Sequence, residues 1–258
     1  MLSMLKMDFR RLFRCKSFYL AILIYVGFTA YCMYTQTKWQ VINQYQIPQH
    51  LQLDAGLYSI VDYYLTMPIQ FMYIFALKNG FLIFGIFMVS FISSEYQSGF
   101  IKNSVMMCKN KNIIILNKFI LSVFVSMLIV CLSFLLSVIL GYFYVDEFML
   151  GNISDIFIYF GSAVLLNTAF FSAITFLYRL LNNKIPSILI CVLLPLGLTA
   201  LFLQPIIKNF IDYTISGVFL SLPIYFETDV SLRCILVCLV YIGLYQGLSM
   251  LLIQKRDI

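Results

Sequence analysis

Six long apolar runs dominate the sequence and limit the folds that the chain can adopt. A helix needs about 20 apolar residues to cross the hydrocarbon core of a bilayer. The runs have about that length and lack the alternation, over about ten residues, of a membrane-spanning β-strand. They cover residues 17–34, 69–93, 119–144, 156–177, 185–203 and 232–253. The sequence therefore predicts an all-α membrane protein with six transmembrane helices, in a single domain over residues 1–258.

The composition agrees with a lipid environment. The chain is 62% hydrophobic and 11% charged, whereas a soluble domain averages about 45–50% apolar and about 25% charged residues. The net charge of +6 would favour nucleic acid in a soluble protein. Here the basic residues separate by membrane side, so no nucleic-acid partner is expected.

The distribution of charge predicts the orientation in the membrane. All but four of the 17 lysines and arginines fall on the side that carries both termini. Most of the aspartates and glutamates instead fall on the opposite side. The four exceptions are Lys38, Lys78, Lys208 and Arg233, and the acids on the terminal side are Asp8, Glu95 and Asp257. Because cytoplasmic loops are enriched in lysine and arginine, both termini are predicted to be cytoplasmic.

Residues 1–16 are predicted to form a separate amphipathic helix. Leu5 and Phe9 fall on an apolar face, and Arg10 and Arg14 fall on the opposite, basic face. A helix with this separation lies in the interface, with its cations near anionic headgroups. We therefore expect it to lie on the inner surface of the membrane.

The polar segment between the second and third runs is predicted to form a short surface helix. Glu95 ends the second helix, and Gly99 permits a sharp turn because glycine readily adopts positive φ. Residues 99–108 then suit a helix with an apolar face and a charge at its rim. The apolar residues are Phe100, Ile101 and Val105, and the charge is Lys102.

The outer side of the chain carries two long connections. Residues 35–68 are predicted to be an external loop without regular structure. Residues 204–231 are apolar but repeatedly interrupted, so we expect a re-entrant or interfacial element before the sixth helix. Lys78 lies towards the outer boundary, where it either snorkels or lines a polar path. Asn167 lies at mid-depth, where we expect it to bond a neighbouring helix, and it is a second candidate for the path.

Motifs for chemistry are missing from the sequence. It has no G-x-x-x-x-G-K-[ST] nucleotide loop, no H-E-x-x-H and no G-x-S-x-G. No aspartate or glutamate lies in the middle of any run, although proton- or sodium-coupled carriers usually keep one there. We therefore expect no enzyme activity and no bound cofactor or metal, and any transport would draw its energy from a partner.

The layout and two short motifs together resemble the type-2 ATP-binding-cassette (ABC) export permeases. The shared layout is an amphipathic N-terminal helix, six spans with both ends inside, and a re-entrant element before the sixth span. The first motif is Glu-x-x-x-Gly-Phe-Ile-Lys from Glu95 to Lys102, with Phe100 where serine or threonine is commoner in the family. The second is the C-terminal Lys-Arg-Asp-Ile at residues 255–258.

This resemblance implies a function. Residues 99–108 would be the coupling helix that docks into separate ABC ATPase subunits, which bind ATP and Mg²⁺. A second permease subunit, identical or different, would complete a complex in the bacterial cytoplasmic membrane. Permeases of this size resemble those that export amphipathic peptides, as in lantibiotic immunity or modulin secretion. Two alternatives stay open: an exporter of drugs or lipid-linked substrates, or a non-transporting membrane sensor or scaffold.

Overall fold

A computed structural model describes residues 2–46, 68–101, 111–144, 153–193 and 228–255. Over these ranges the backbone forms seven α-helices. They are α1 (Leu2–Arg14), α2 (Lys16–Gln46), α3 (Pro68–Gln97), α4 (Asn112–Tyr144), α5 (Ile153–Leu181), α6 (Lys184–Leu193) and α7 (Thr228–Lys255). The all-helical class predicted from the apolar runs is therefore confirmed for the described residues.

Four of these helices have the length and apolar composition to cross a membrane. The candidate spans are Asn79–Gln97, Asn112–Leu140, Phe160–Leu181 and Ile235–Gln254, and the bent pair α1–α2 raises the number to as many as five. The protein is thus a helical membrane protein. Of the predicted fifth span, residues 185–203, the structure describes only the first part, as α6, and the rest lies outside the described residues. Six spans and cytoplasmic termini stay predictions.

The helices depart from the predicted runs mainly at their ends. Helix α2 continues past Tyr34 to Gln46, so the prediction that the connection lacks structure from residue 35 is wrong. The physical reason is local, because neither glycine nor proline occurs between Gly27 and Pro48 to stop the helix. Residues 47–67 lie outside the described residues, as does most of the predicted re-entrant element. Residues 228–231 of that element form the first turn of α7.

Helices α1 and α2 follow each other directly and are separated by a sharp bend. The chain bends by 58° at Cys15, between Arg14 and Lys16. Backbone hydrogen bonds persist on both sides of the bend, from Cys15 N to Leu12 O and from Phe18 N to Cys15 O. Leu12 is fully buried, and the Phe9 ring packs edge-on against Phe124 of α4 at 4.9 Å. Helix α1 is therefore amphipathic as predicted, and its apolar face lies against the bundle.

Helices α3 and α5 form the centre of the described bundle. Most of the residues in the candidate spans of α3 (Asn79–Gln97) and α5 (Phe160–Leu181) are buried, whereas few are buried in that of α7 (Ile235–Gln254). Phenylalanines fill the interior, and the rings of Phe81 and Phe170 meet edge to face at 5.2 Å. Helix α7 packs on α5 and leaves most of its apolar surface outward, as expected of a helix that faces lipid.

Candidate functional site

The chain turns sharply where α3 ends. Gly99 has a φ of 68°, and its amide donates to the Tyr96 carbonyl at 3.2 Å. This left-handed residue terminates the helix, since glycine carries no Cβ to clash there. Helical backbone resumes at Phe100 and Ile101, after which residues 102–110 lie outside the described residues. The predicted positive-φ turn at Gly99 is confirmed.

A buried ion cluster lies beside this turn and joins three helices. The Lys118 ammonium on α4 donates to Asp8 Oδ1 on α1 at 2.9 Å and to Glu95 Oε1 on α3 at 2.5 Å. Arg11 Nη1 on α1 lies 3.5 Å from the same Glu95 oxygen. We call Asp8, Arg11, Glu95 and Lys118 the ion cluster, and the end of the bundle that holds it the charged end.

The burial of the ion cluster makes its pairing energetically important. Glu95 is 0% exposed, Asp8 is 3% exposed and Lys118 is 7% exposed. Moving one such charge out of water costs roughly several kcal/mol. Close partners of opposite charge must compensate for this cost. Two carboxylates and two cations balance within the cluster. The second Glu95 oxygen, Oε2, has no hydrogen-bond partner in the described part of the structure.

Aromatic rings complete the surroundings of the two cations. The Arg11 guanidinium lies 4.1 Å from the centre of the Phe100 ring and 5.7 Å from that of Phe91. The Lys118 ammonium lies 5.7 Å from both rings. These distances are within the roughly 6 Å over which a cation is attracted to a ring face. The first residue after the Gly99 turn thus contacts cations from both α1 and α4.

Helix α5 reaches the charged end through a second basic residue. The buried Arg179 guanidinium donates a hydrogen bond to the Tyr96 hydroxyl and also interacts electrostatically with Glu95. The rings of Tyr96 and Tyr178 lie 5.4 Å apart. The last turn of α3 is therefore held from one side by α1 and α4 and from another by α5.

The structure brings some of the predicted coupling residues together. Glu95 is buried in the ion cluster, Gly99 forms the turn, Phe100 is half-buried against Arg11, and Ile101 is buried. Ile101 is therefore not part of an exposed apolar face in the described structure. The other two predicted coupling residues, Lys102 and Val105, lie outside the described residues.

The predicted interfacial-helix residues divide by burial. Phe9 and Leu5 are partly buried, whereas Arg10 and Arg14 are exposed. The arrangement matches the predicted faces of α1 and leaves its contact with lipid a prediction.

The two candidates for a polar path lie in different helices. Lys78 belongs to α3, and its side chain lies outside the described residues. Asn167 is fully buried in α5, and its Nδ2 donates to the Ala163 carbonyl of the same helix at 3.1 Å. The expected bond from Asn167 to a neighbouring helix is thus absent among the described residues, because the preceding turn of α5 supplies the acceptor.

A row of buried serines on α4 includes two that make polar contacts with neighbouring helices. Ser133 Oγ lies 2.7 Å from the Tyr25 hydroxyl of α2, and Thr168 Oγ1 of α5 lies 3.3 Å from Ser126 Oγ. The row is Ser122, Ser126, Ser133 and Ser137, each at most 1% exposed. Small hydroxyl side chains let helices approach closely and bond across the interface.

Sequence reasoning missed the roles of Asp8, Arg11, Lys118 and Arg179. A signal for Asp8 was present, since this acid follows Leu5 by three residues and precedes Leu12 by four, on the apolar face of a basic helix. A lone acid there needs a cation from another element. Which cation it meets depends on the packing of α1 against α4, which no local pattern encodes.

Compared with models of known protein families and with curated proteins, the chain matches none of them. The family resemblance, and the function that it implies, therefore stay predictions.

Proposed function

We propose that this chain is the transmembrane permease subunit of an ABC exporter. In this proposal a separate ATPase subunit binds ATP and Mg²⁺, and the chain couples hydrolysis to the export of amphipathic peptides. The observation that carries the proposal is the turn at Gly99, because it leads into helical backbone at the end of the bundle where buried charges join α1, α3 and α4.

The arrangement at the charged end suits the transmission of a movement. A partner that docks on residues 99–108 and shifts them would pull on α3 through the backbone and on α1 and α4 through Phe100. Packed helices respond to such a pull as rigid bodies, because close-packed interiors deform little. Docking at a short segment would thus tilt several spans together.

Charge and composition support the location and the cargo. The excess of lysine and arginine on the terminal side favours a cytoplasmic charged end, where an ATPase would be. No acid lies in the middle of any apolar run, so the membrane interior offers no strong site for a cation. A passenger that is itself partly apolar needs no such site. The bacterial cytoplasmic membrane and a second permease subunit are part of the proposal.

The test uses the purified complex reconstituted in liposomes. We expect an amphipathic helical peptide to stimulate ATP hydrolysis and to accumulate on the far side, because it partitions into the bilayer beside the permease. A scrambled peptide of equal composition without an apolar face serves as the control. Stimulation by hydrophilic solutes alone would contradict the proposed cargo. Stimulation by drugs or lipid-linked substrates instead of the peptide would support that alternative.

A pair of variants tests the docking segment. Val105→Asp places a charge on the predicted apolar face and should abolish co-purification of the ATPase while the chain still inserts. Lys184→Asp is the matched control, because Lys184 is an exposed residue at the start of α6 and the change should leave association intact. Normal recovery of the ATPase with Val105→Asp would contradict the role assigned to residues 99–108.

A further inference from the structure

We propose that Arg11 links α1 mechanically to the chain after the Gly99 turn, so that the two move as one unit. The link is the stacking of the Arg11 guanidinium on the Phe100 ring, 4.1 Å from the ring centre. This inference deepens the proposed function and depends on it for its purpose. Its test uses the chain alone and does not require an ATPase.

The contact with Phe100 accounts for the position of Arg11 better than the contact with Glu95 does. Arg11 Nη1 lies 3.5 Å from Glu95 Oε1, and Nη1 has no hydrogen-bond partner among the described residues. Charge-assisted hydrogen bonds are shorter, about 2.7–2.9 Å. Glu95 already receives the Lys118 ammonium at 2.5 Å. A planar guanidinium stacks on aromatic faces, so the ring of Phe100 is the contact that holds Arg11.

The two linked elements are each hinged to a different span. Helix α1 joins α2 through the 58° bend at Cys15. Phe100 joins α3 through Gly99, whose φ is 68° and around which a Cβ would meet no described atom within 4 Å. Backbone breaks of this kind absorb rotation, whereas the helices on either side stay rigid. A contact between Arg11 and Phe100 therefore connects α2 to α3 through two hinges.

Lys118 fixes the link to the bundle. Its ammonium bonds Asp8, one helical turn before Arg11 on α1, and lies 5.7 Å from the Phe100 ring. Helix α1 is thus anchored at one turn and linked at the next. A shift of Phe100 would be transmitted to α1 through Arg11. The bond between Asp8 and Lys118 would be the fixed point about which α1 turns.

Thiol labelling of the chain in membranes tests the link from both directions. All native cysteines are replaced except Cys191, which is buried in α6 and reports on the integrity of the bundle. Ile101→Cys, at a buried position, reports on the segment after the turn. In this background Arg11→Gln should speed maleimide labelling of residue 101 about tenfold, the factor expected from a partly desolvated cation–ring contact. Arg10→Gln removes the same charge from an exposed neighbour and should leave the rate unchanged.

The reverse direction uses a second reporter. Leu12→Cys, at a fully buried position of α1, should label faster when Phe100→Leu removes the ring. Phe143→Leu, an exposed ring at the far end of α4, is the control. The contact between Arg11 and Phe100 is lost whichever of the two residues is changed, so both reporters should respond.

Three results would overturn the proposal. Labelling of Ile101→Cys at the same rate in the Arg11→Gln and Arg10→Gln chains would show that no link exists. Faster labelling of only one reporter would show that the two elements do not depend on the single contact between Arg11 and Phe100. Exposure of Cys191 together with residue 101 would mean that Arg11 supports the whole fold and not a local link. None of these results bears on whether an ATPase partner exists, so the proposed function would stand or fall separately.

Discussion

Lys118 neutralises two buried carboxylates from two other helices. Asp8 and Glu95 both accept from its ammonium, and Arg11 Nη1 lies 3.5 Å from Glu95 Oε1. We predict that Lys118→Met destabilises the chain by about 3–5 kcal/mol, as when one partner of a buried ion pair is removed. The temperature at which the detergent-purified chain loses its monodisperse elution peak measures the effect. Lys16→Met, at an exposed position, is the control and should elute like the wild type.

A double variant separates charge balance from loss of packing. Asp8→Asn combined with Lys118→Met removes one charge of each sign and leaves Glu95 with Arg11. Buried ion pairs can often be replaced by neutral groups at little cost, whereas single removals are harmful. The double variant should therefore melt above the Lys118→Met chain. An equal or lower melting temperature would mean that the lysine stem, and not its charge, stabilises the charged end.

The ion cluster also shows which residues a sequence can and cannot reveal. Glu95 and Gly99 are singled out because they interrupt a long apolar pattern, and Phe100 because it falls on the apolar face of the helix predicted after Gly99. The structure places all three at the charged end. Lys118 was counted only as part of the basic side, since nothing in the sequence indicates that it is buried. Its partners Asp8 and Glu95 are 110 and 23 residues away, so the grouping arises from tertiary packing.

Helices α3 and α6 depend on the absence of a side chain at Gly85 for their close approach. A Cβ there would collide with Cys191 Sγ of α6 and lie 3.1 Å from Phe170 Cε1 of α5. We predict that Gly85→Ala costs about 1–3 kcal/mol of stability through overpacking. The melting temperature in detergent is the readout. Gly243→Ala is the control, because a Cβ at that exposed glycine meets no described atom within 4 Å and alanine favours the helix.

A double variant tests whether the collision between a Cβ at residue 85 and Cys191 Sγ causes the loss of stability. Cys191→Ala removes the sulfur atom that the new Cβ would meet. The double variant Gly85→Ala with Cys191→Ala should therefore regain part of the stability lost by Gly85→Ala alone, since the two sites share one contact. If the losses simply add, the close approach of α3 and α6 at this point is not the reason for the glycine.

The elements were easier to predict than their ends. Apolar runs predicted α2 to α5 and α7, because the length of a span follows directly from bilayer thickness. The continuation of α2 to Gln46 was missed because its last turns are rich in glutamine, which reads as polar connection although glutamine forms helices well. Local polarity and helix propensity disagree there, and propensity prevails.

The described part of the molecule combines an apolar outer surface with one end that holds buried charges. Helices α2 and α7 expose large apolar side chains along much of their length, as a lipid-facing surface requires. At the charged end, the charges of the ion cluster are buried between α1, α3 and α4. There they pair with one another, whereas a charge that faced lipid would be costly. An apolar outer surface, together with a charged end whose helices are joined by ion pairs, suits a bundle that receives force at that end. The one-sided distribution of lysine and arginine predicts the membrane side of this end, and it does not reveal that four of the charges there form a cluster.

We propose that the chain works with an ATPase encoded separately. The most direct measurement is affinity purification of the tagged chain from native membranes in mild detergent, with mass spectrometry and an ATP hydrolysis assay of the eluate. We expect an ABC ATPase in stoichiometric amount and hydrolysis that is lost when the ATPase is stripped away. A chain that elutes without a nucleotide-hydrolysing partner, yet transports peptide in liposomes by itself, would rule out the proposed partnership.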